Sequence, residues 1–192
     1  MEPIATPGFM TDAVKCAASE IEDFDAVVRL HWPRVFRYAL ASLRDREAAE
    51  SLAQDCFLRA YKGRERFRGD SSLTTWLLQI AVNLVRDQAR NRRLQFWKRT
   101  RGSAPDMDIA CRRIPDRDLS PEGKALANEQ LAAVWDAMES LPERQRTVFL
   151  LRFVEDMDLL EIAAATGLRE GTVKVHLFRA LQSVRKRIGR AA

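Results

Sequence analysis

The side chains best placed to do chemistry in this chain are cations set at helical spacing. From Glu170 to the end stand Lys174, Arg179, Arg185, Lys186, Arg187 and Arg190 against one acid, Glu170. Val173, Leu177, Ala180, Leu181, Val184 and Ile188 recur at i, i+4, i+7 and i+8 through the same stretch, which predicts an amphipathic helix. At 100° per residue, Gly171, Val175, Arg179, Gln182 and Lys186 fall opposite Val173, with Thr172, Lys174, His176 and Phe178 on the flanks. A second run, Arg86 to Arg101, holds seven basic residues and one acid, Asp87. Guanidinium-rich helical faces of this kind can grip a phosphate backbone, and Asn83, one turn earlier, can bond a base edge. A solvated basic helix closing a bundle would carry a similar charge pattern.

Catalytic chemistry is not spelled out. No paired carboxylates converge on a histidine or a second acidic cluster, as metal-dependent phosphoryl transfer would need. Cys16, Cys56 and Cys111 are odd in number and widely scattered, which fits neither a zinc site nor a disulfide framework and suits a reducing cytoplasm. The net charge of +5 favours a polyanionic partner. With Glu2 and no long apolar run near Met1, no secretory signal is expected, and the most apolar stretch, Leu77 to Val85, is interrupted by Gln79 and Asn83 and is too short to span a bilayer.

The elements that must hold these cations are predicted to be helices. Leu159, Ile162 and Ala163 form a short helical stripe, and Gly167 follows where a left-handed residue lets the chain turn. Two helices joined through that turn read as a helix-turn-helix, whose second helix enters the DNA major groove. Residues 1–20 read as a leader without periodicity. A helix begins near Ile21, and Pro33 is expected to break or kink it and open the next. Asp45 is the N-cap of a helix whose Ala48, Leu52, Cys56 and Ala60, with Ala49 and Ala53, can face a core, leaving Glu47, Glu50, Ser51, Gln54 and Asp55 as an acidic and polar face.

The segment Lys62 to Ser72, with two glycines and Phe67, reads as a basic loop. Ser72 then caps a helix with Leu73, Trp76, Leu77, Ile80, Ala81 and Leu84 on one stripe, so Trp76 reads as core ahead of a stacking platform. Residues 101–119, with Pro105, Pro115, four aspartates and four arginines, read as a linker. Ser120-Pro-Glu opens a helix through Leu126, Leu131, Val134, Trp135 and Met138, and Ser140-Leu-Pro-Glu starts another carrying Val148, Phe149, Leu151 and Phe153. The expected architecture is all-α: two small helical domains, 21–100 and 120–192, joined by a flexible tether. Two DNA-facing modules linked in this way can read two DNA segments.

Taken together, Asp45-Arg-Glu-Ala-Ala-Glu-Ser-Leu-Ala-Gln-Asp-Cys-Phe-Leu-Arg-Ala-Tyr61, Thr75-Trp-Leu, Ile80-Ala-Val-Asn-Leu, Arg86-Asp-Gln-Ala-Arg90, Leu141-Pro-Glu-Arg-Gln-Arg, Glu161-Ile-Ala and Gly171-Thr-Val-Lys174 are distinctive in this order. The chain resembles a bacterial RNA polymerase sigma factor of the extracytoplasmic-function group, which keeps the domains called region 2 and region 4. The resemblance implies a non-enzymatic role without cofactor or metal: binding core RNA polymerase and directing initiation at promoters. It implies that Glu50, Ser51, Gln54 and Asp55, with Phe57 nearby, dock the β′ clamp helices, and that region 4 meets the β flap. Ser51 stands where the family usually has an acid.

By the same resemblance, Phe67, Arg68, Gly69, Asp70 and Ser71 take up a flipped base of the −10 element, and Asn83, Arg86 and Arg90 line the DNA beyond it. Extracting a base costs roughly a few kcal/mol, which pocket contacts must recover. Arg169, Thr172, Lys174, Val175, His176 and Arg179 meet the −35 element. Arg169 and Val175 replace the small hydroxyl residues common in the family, and an outward Val175 could touch a thymine methyl. The linker would thread towards the RNA path, and members are often held by an anti-sigma factor. The alternative is a helix-turn-helix regulator that acts without entering the polymerase and footprints its operator alone.

Overall fold

The computed structural model describes residues 23–67, 69–98 and 134–191, with side chains to Asn91 in the second segment and to Gly189 in the last. The leader, the linker, Arg68, and the helix start at Ser120 with Leu126 and Leu131 lie outside the described residues. The described elements are helical: α1 (Phe24–Leu43), α2 (Arg46–Gly63), a 3-10 turn (Arg64–Arg66), α3 (Leu73–Lys98), a helical stretch over 134–139, α4 (Glu143–Phe153), α5 (Leu159–Thr166) and α6 (Glu170–Ala191).

Local chemistry sets the helix ends. Asp23 accepts from the Ala26 amide at 3.0 Å, Asp45 from Ala48 at 3.0 Å, and the Ser72 hydroxyl from Thr75 at 3.1 Å, each satisfying an amide that the first turn leaves free. Asp158 and Glu161 form a reciprocal capping box at the start of α5. Ser140 does not start α4; its hydroxyl donates to the Ala137 carbonyl, and Pro142 occupies the cap position. The Arg146 guanidinium donates to the carbonyls of Glu139 and Leu141, closing the end of the preceding helical stretch.

Pro33 does not break the first helix. α1 runs through it as one element of 20 residues, with Pro33 on the exposed side while Val27, Val35, Tyr38, Ala39 and Ala41 are buried on the other. The missing amide bond is lost, yet the apolar stripe continues in register on both sides, and burial of that stripe holds the helix together. The helix ends at Arg44, which adopts a left-handed φ of 56° without being glycine.

α2 presents Ala49, Leu52, Ala53, Cys56, Phe57 and Ala60 to the core. The stripe is rotated from the expected one: Ala48 is half-buried, and Phe57 joins the buried set at 5% exposure, stacked on Trp32 with centroids 5.7 Å apart. α3 buries more than its predicted stripe, adding Thr75, Leu78 and Val82, because it is flanked on two sides, by α1 and α2 and by α5. Trp76 and Ile80 are only half-buried. Buried residues from both halves of the chain join in one core cluster. The two halves therefore pack directly on each other, α3 against α5 and α1 against α4.

Candidate nucleic-acid and polymerase interface

The helix-turn-helix forms as its residues dictate. α5 ends at Gly167 with φ 69°, the conformation for which the glycine is needed; a Cβ there would meet no atom within 4 Å, so backbone sterics alone set the requirement. α6 then buries Val173, Ala180 and Val184, with Leu177, Leu181 and Ile188 packed partly against the core. Gly171, Val175, Arg179, Gln182 and Lys186 are all exposed on the outer side, as the wheel predicts, and so are Arg169, Thr172 and Lys174.

Two apolar side chains stand among these cations: Val175 is 47% exposed and Phe178 61%. Exposed apolar groups on a cationic helix suit a groove that offers methyl groups as well as phosphates. Lys174 is tied to Glu170 one turn back, at 2.6 Å, whereas Arg179 has no acidic partner among the described residues. His176 is half-buried. Its pKa is lowered by burial and by the nearby Arg144 and Arg179 charges, which favours the neutral ring.

On α3, Asn83, Arg86 and Arg90 form one exposed line at spacings of three and four, and Arg90 contacts Asp87 at 3.3 Å. Upstream of α3, Gly69 takes φ 72°, Asp70 is exposed and Ser71 half-buried. The Phe67 ring rests on Trp76 with centroids 5.0 Å apart, so the loop's aromatic is anchored to the helix that carries Asn83. Trp76 is thus both core wall and support for the loop.

α2 offers Ser51, Gln54 and Asp55 exposed, with Glu50 half-buried and bonded to Arg46 at 3.1 Å. Phe57, expected beside them, is turned into the core: it is four residues beyond Ala53 and eight beyond Ala49, which places it on the inner face. Leu58, at 51% exposure, and Tyr61, at 47%, are the apolar groups on the outside of this helix. That assignment was legible in the spacing, once the alanines are counted as core.

The structure also brings together groups the sequence keeps far apart. Arg86 of α3 lines a cleft of about 170 Å³ with Glu143, Arg144 and Thr147 of α4 and Thr166, Gly167 and Leu168 of the helix-turn-helix turn. Glu155, in the connection between α4 and α5, has no exposed side-chain surface. Arg34 Nε donates to its Oε2 at 3.2 Å, and Arg37 donates to Oε1 and Oε2 at 2.8 Å each. Donating these hydrogen bonds to Glu155 raises the Arg37 pKa further. Arg34 also contacts the Glu155 carbonyl, and Arg44 contacts Glu139 across the same seam. Tyr38 is wholly buried beside Ser42 and Thr147, and burial pushes its hydroxyl up to about 12.

Residues 27–95 match the family described as Sigma-70 region 2, and residues 131–184 the one described as Sigma-70, region 4. The RNA polymerase sigma-H factor of Pseudomonas aeruginosa is 31% identical over 85% of this chain and 84% of its own length. The ECF RNA polymerase sigma-E factor of Haemophilus influenzae is 32% identical, covering 71% of this chain and 72% of its own. In fold, the chain is similar to the sigma factor RpoE solved in complex with the anti-sigma factor NepR from Bartonella quintana, with a TM-score of 0.70 at 21% identity over 88% of this chain and 98% of that one.

Proposed function

The chain belongs to the RNA polymerase sigma factors of the extracytoplasmic-function group, and from that premise we propose how its surfaces divide the work of promoter-specific initiation. The outer face of α2, with Glu50, Ser51, Gln54 and Asp55, docks the β′ clamp helices of core polymerase. The line Asn83, Arg86 and Arg90 on α3, with the loop from Phe67 to Ser71, takes the −10 element as a single strand. The exposed side of α6, with Arg169, Thr172, Lys174, Val175, His176 and Arg179, takes the −35 element. Region 4 meets the β flap, and an anti-sigma factor is the natural inhibitor of such a chain.

One observation carries this reading. The two cationic faces and the acidic one lie on three different helices and are exposed except at the half-buried Glu50 and His176, while the residues between them are consumed by a shared core. The chemistry is that of positioning: phosphates are held by guanidinium groups, an unpaired base by contacts that offset its unstacking, and no bond is made or broken by the chain itself. The protein acts without cofactor and is not an enzyme. Among the described residues no helix is long and apolar enough to cross a membrane, and the site of action proposed is the cytoplasm, where the polymerase is.

Run-off transcription with purified core polymerase on a promoter library tests the reading. Start-site selection that depends on adding the chain supports it. Footprinting of an operator by the chain alone, with no effect on initiation by core, refutes it in favour of a stand-alone regulator.

A further inference from the structure

Tyr38 Oη, Ser42 Oγ and Arg146 Nε are each buried without a hydrogen-bond partner among the described residues. Folded proteins rarely leave such atoms unbonded, so a group of them in one place marks where a further partner would bond. Ser42 and Arg146 line a cleft of about 450 Å³ where the end of α1 meets α3 and α4. Tyr38 has no exposed surface and stands beside the cleft, its hydroxyl near those of Ser42 and Thr147 but bonded to neither.

These groups share one capacity, which is to donate. Arg146 Nε can do nothing else, and the two hydroxyls can turn their protons outward. The Thr147 hydroxyl already donates to the Glu143 carbonyl at 3.0 Å, and Arg44 is engaged by Glu139. Arg146 Nη2 bonds the Glu139 and Leu141 carbonyls, yet no acid lies within ion-pair distance of this guanidinium among the described residues. Burial lowers the Arg146 pKa; Glu143 opposes that and Arg44 adds to it, so a negative charge at Nε would stabilise the cation. Leu43, Val85, Leu141 and Leu150 supply apolar walls. Apolar walls with a few convergent donors are the usual form of a small-molecule site, at roughly 300 to 1,000 Å³. A lone water takes only about 30 Å³.

We propose that this cleft binds a small monocarboxylate with an apolar body, its carboxylate accepting from Arg146 Nε, Ser42 Oγ and Tyr38 Oη while the body lies against Leu43, Val85 and Leu150. A carboxylate has two oxygens and about four lone-pair directions, enough for all of these donors. Hydrogen bonds to a charged acceptor are roughly twice as strong as neutral ones, which suits donors that have already lost their water. Glu143 on the same wall disfavours a second negative charge on the occupant, which sets phosphate monoesters aside. The site stands on these contacts alone and does not depend on the promoter assignment.

The test titrates the full chain with hexanoate and with benzoate by calorimetry, using acetate as a head without a body and hexanamide as a body without a charge. Hexanoate or benzoate is expected to bind saturably at one site per chain, about tenfold or more tightly than acetate or hexanamide. Tyr38→Phe keeps the ring and deletes an unbonded oxygen. It should weaken that binding about tenfold, the loss for one hydrogen bond to a charged group, without lowering the thermal midpoint of the ligand-free chain. Ala89→Leu fills the cleft from α3 and should abolish binding with unchanged far-ultraviolet circular dichroism; it keeps the test open should Tyr38→Phe disturb the core. No saturable binding of either carboxylate overturns the site, and so does binding that survives both variants in folded protein. Hexanamide binding as tightly as hexanoate overturns the carboxylate. Promoter-specific transcription by the unaltered chain would still stand in each of those cases, so failure of this site and failure of the sigma assignment are separate results.

Discussion

Arg179 gives the sharpest quantitative handle on the DNA face. It is exposed on the outer side of α6 and has no acidic partner among the described residues, so its guanidinium is available to a phosphate without breaking an existing ion pair. One phosphate contact contributes about −0.9 to the slope of log K against log salt on duplex DNA. For Arg179→Ala, the penalty in promoter affinity should therefore shrink by about 3.5-fold between 50 and 200 mM salt, that being a fourfold change in salt raised to the power 0.9. Lys174→Ala should move the slope less, because Lys174 Nζ is already 2.6 Å from Glu170 and must leave that carboxylate to meet a phosphate. The assay is fluorescence anisotropy of a promoter duplex titrated with core polymerase carrying each variant, over at least four salt concentrations. A slope for Arg179→Ala parallel to that of the unaltered protein refutes the phosphate contact, and a larger change for Lys174→Ala refutes the role given to Glu170.

Three further outcomes are expected. Asp55→Arg should abolish co-purification with core polymerase and leave the thermal midpoint within a few degrees, since Asp55 is exposed and buries nothing; retained co-purification would place the dock elsewhere. Asn83→Ala should reduce permanganate-detected strand opening more than duplex binding; equal losses in the two assays would contradict a base contact. The His176 pKa is held below its ordinary value by burial and by Arg144 and Arg179. The unfolded chain therefore binds the proton more readily, and His176 costs stability as pH falls through the window below about 6.5. A phosphate beside the ring acts in the opposite sense, so promoter binding should strengthen as pH falls from about 7.5 to 6. His176→Gln should remove that part of the pH dependence, and an unaltered pH profile would exclude a phosphate near the ring.

Much of the fold was written in local patterns. Gly167 and the caps at Asp45 and Ser72 each depend on neighbours within a few positions, and each took its expected form. The α2 face was harder to read. Alanine and cysteine carry little hydropathic contrast, so Ala48 and Ala49 are equally plausible as core until packing selects one, and Phe57 follows that selection inward. Pro33 misleads in another way: its local penalty is real, but it sits on the solvent side of a helix whose opposite stripe is deeply buried. Glu155 could not be found from sequence. An acid in a short connection looks solvated, and only the fold reveals that two arginines more than a hundred positions earlier reach it. The outward positions of α6 and α3 were legible because amphipathic spacing fixes which side faces water, even where it cannot say what will touch that side.

The inner face of α2 deserves to be seen as a gauge block. Ala49, Ala53, Cys56 and Ala60 have no exposed surface, and the Cys56 thiol reaches the Leu77 carbonyl of α3 at 3.4 Å, so small side chains set how near these two helices stand. Asp55 rides on the reverse of the same helix, two positions from Ala53. A single methylene added at Ala53 would press against this packing, and with it shift the angle of the acidic shoulder proposed to meet core polymerase. Variation in the proposed grip on core polymerase can thus originate at positions that never see solvent.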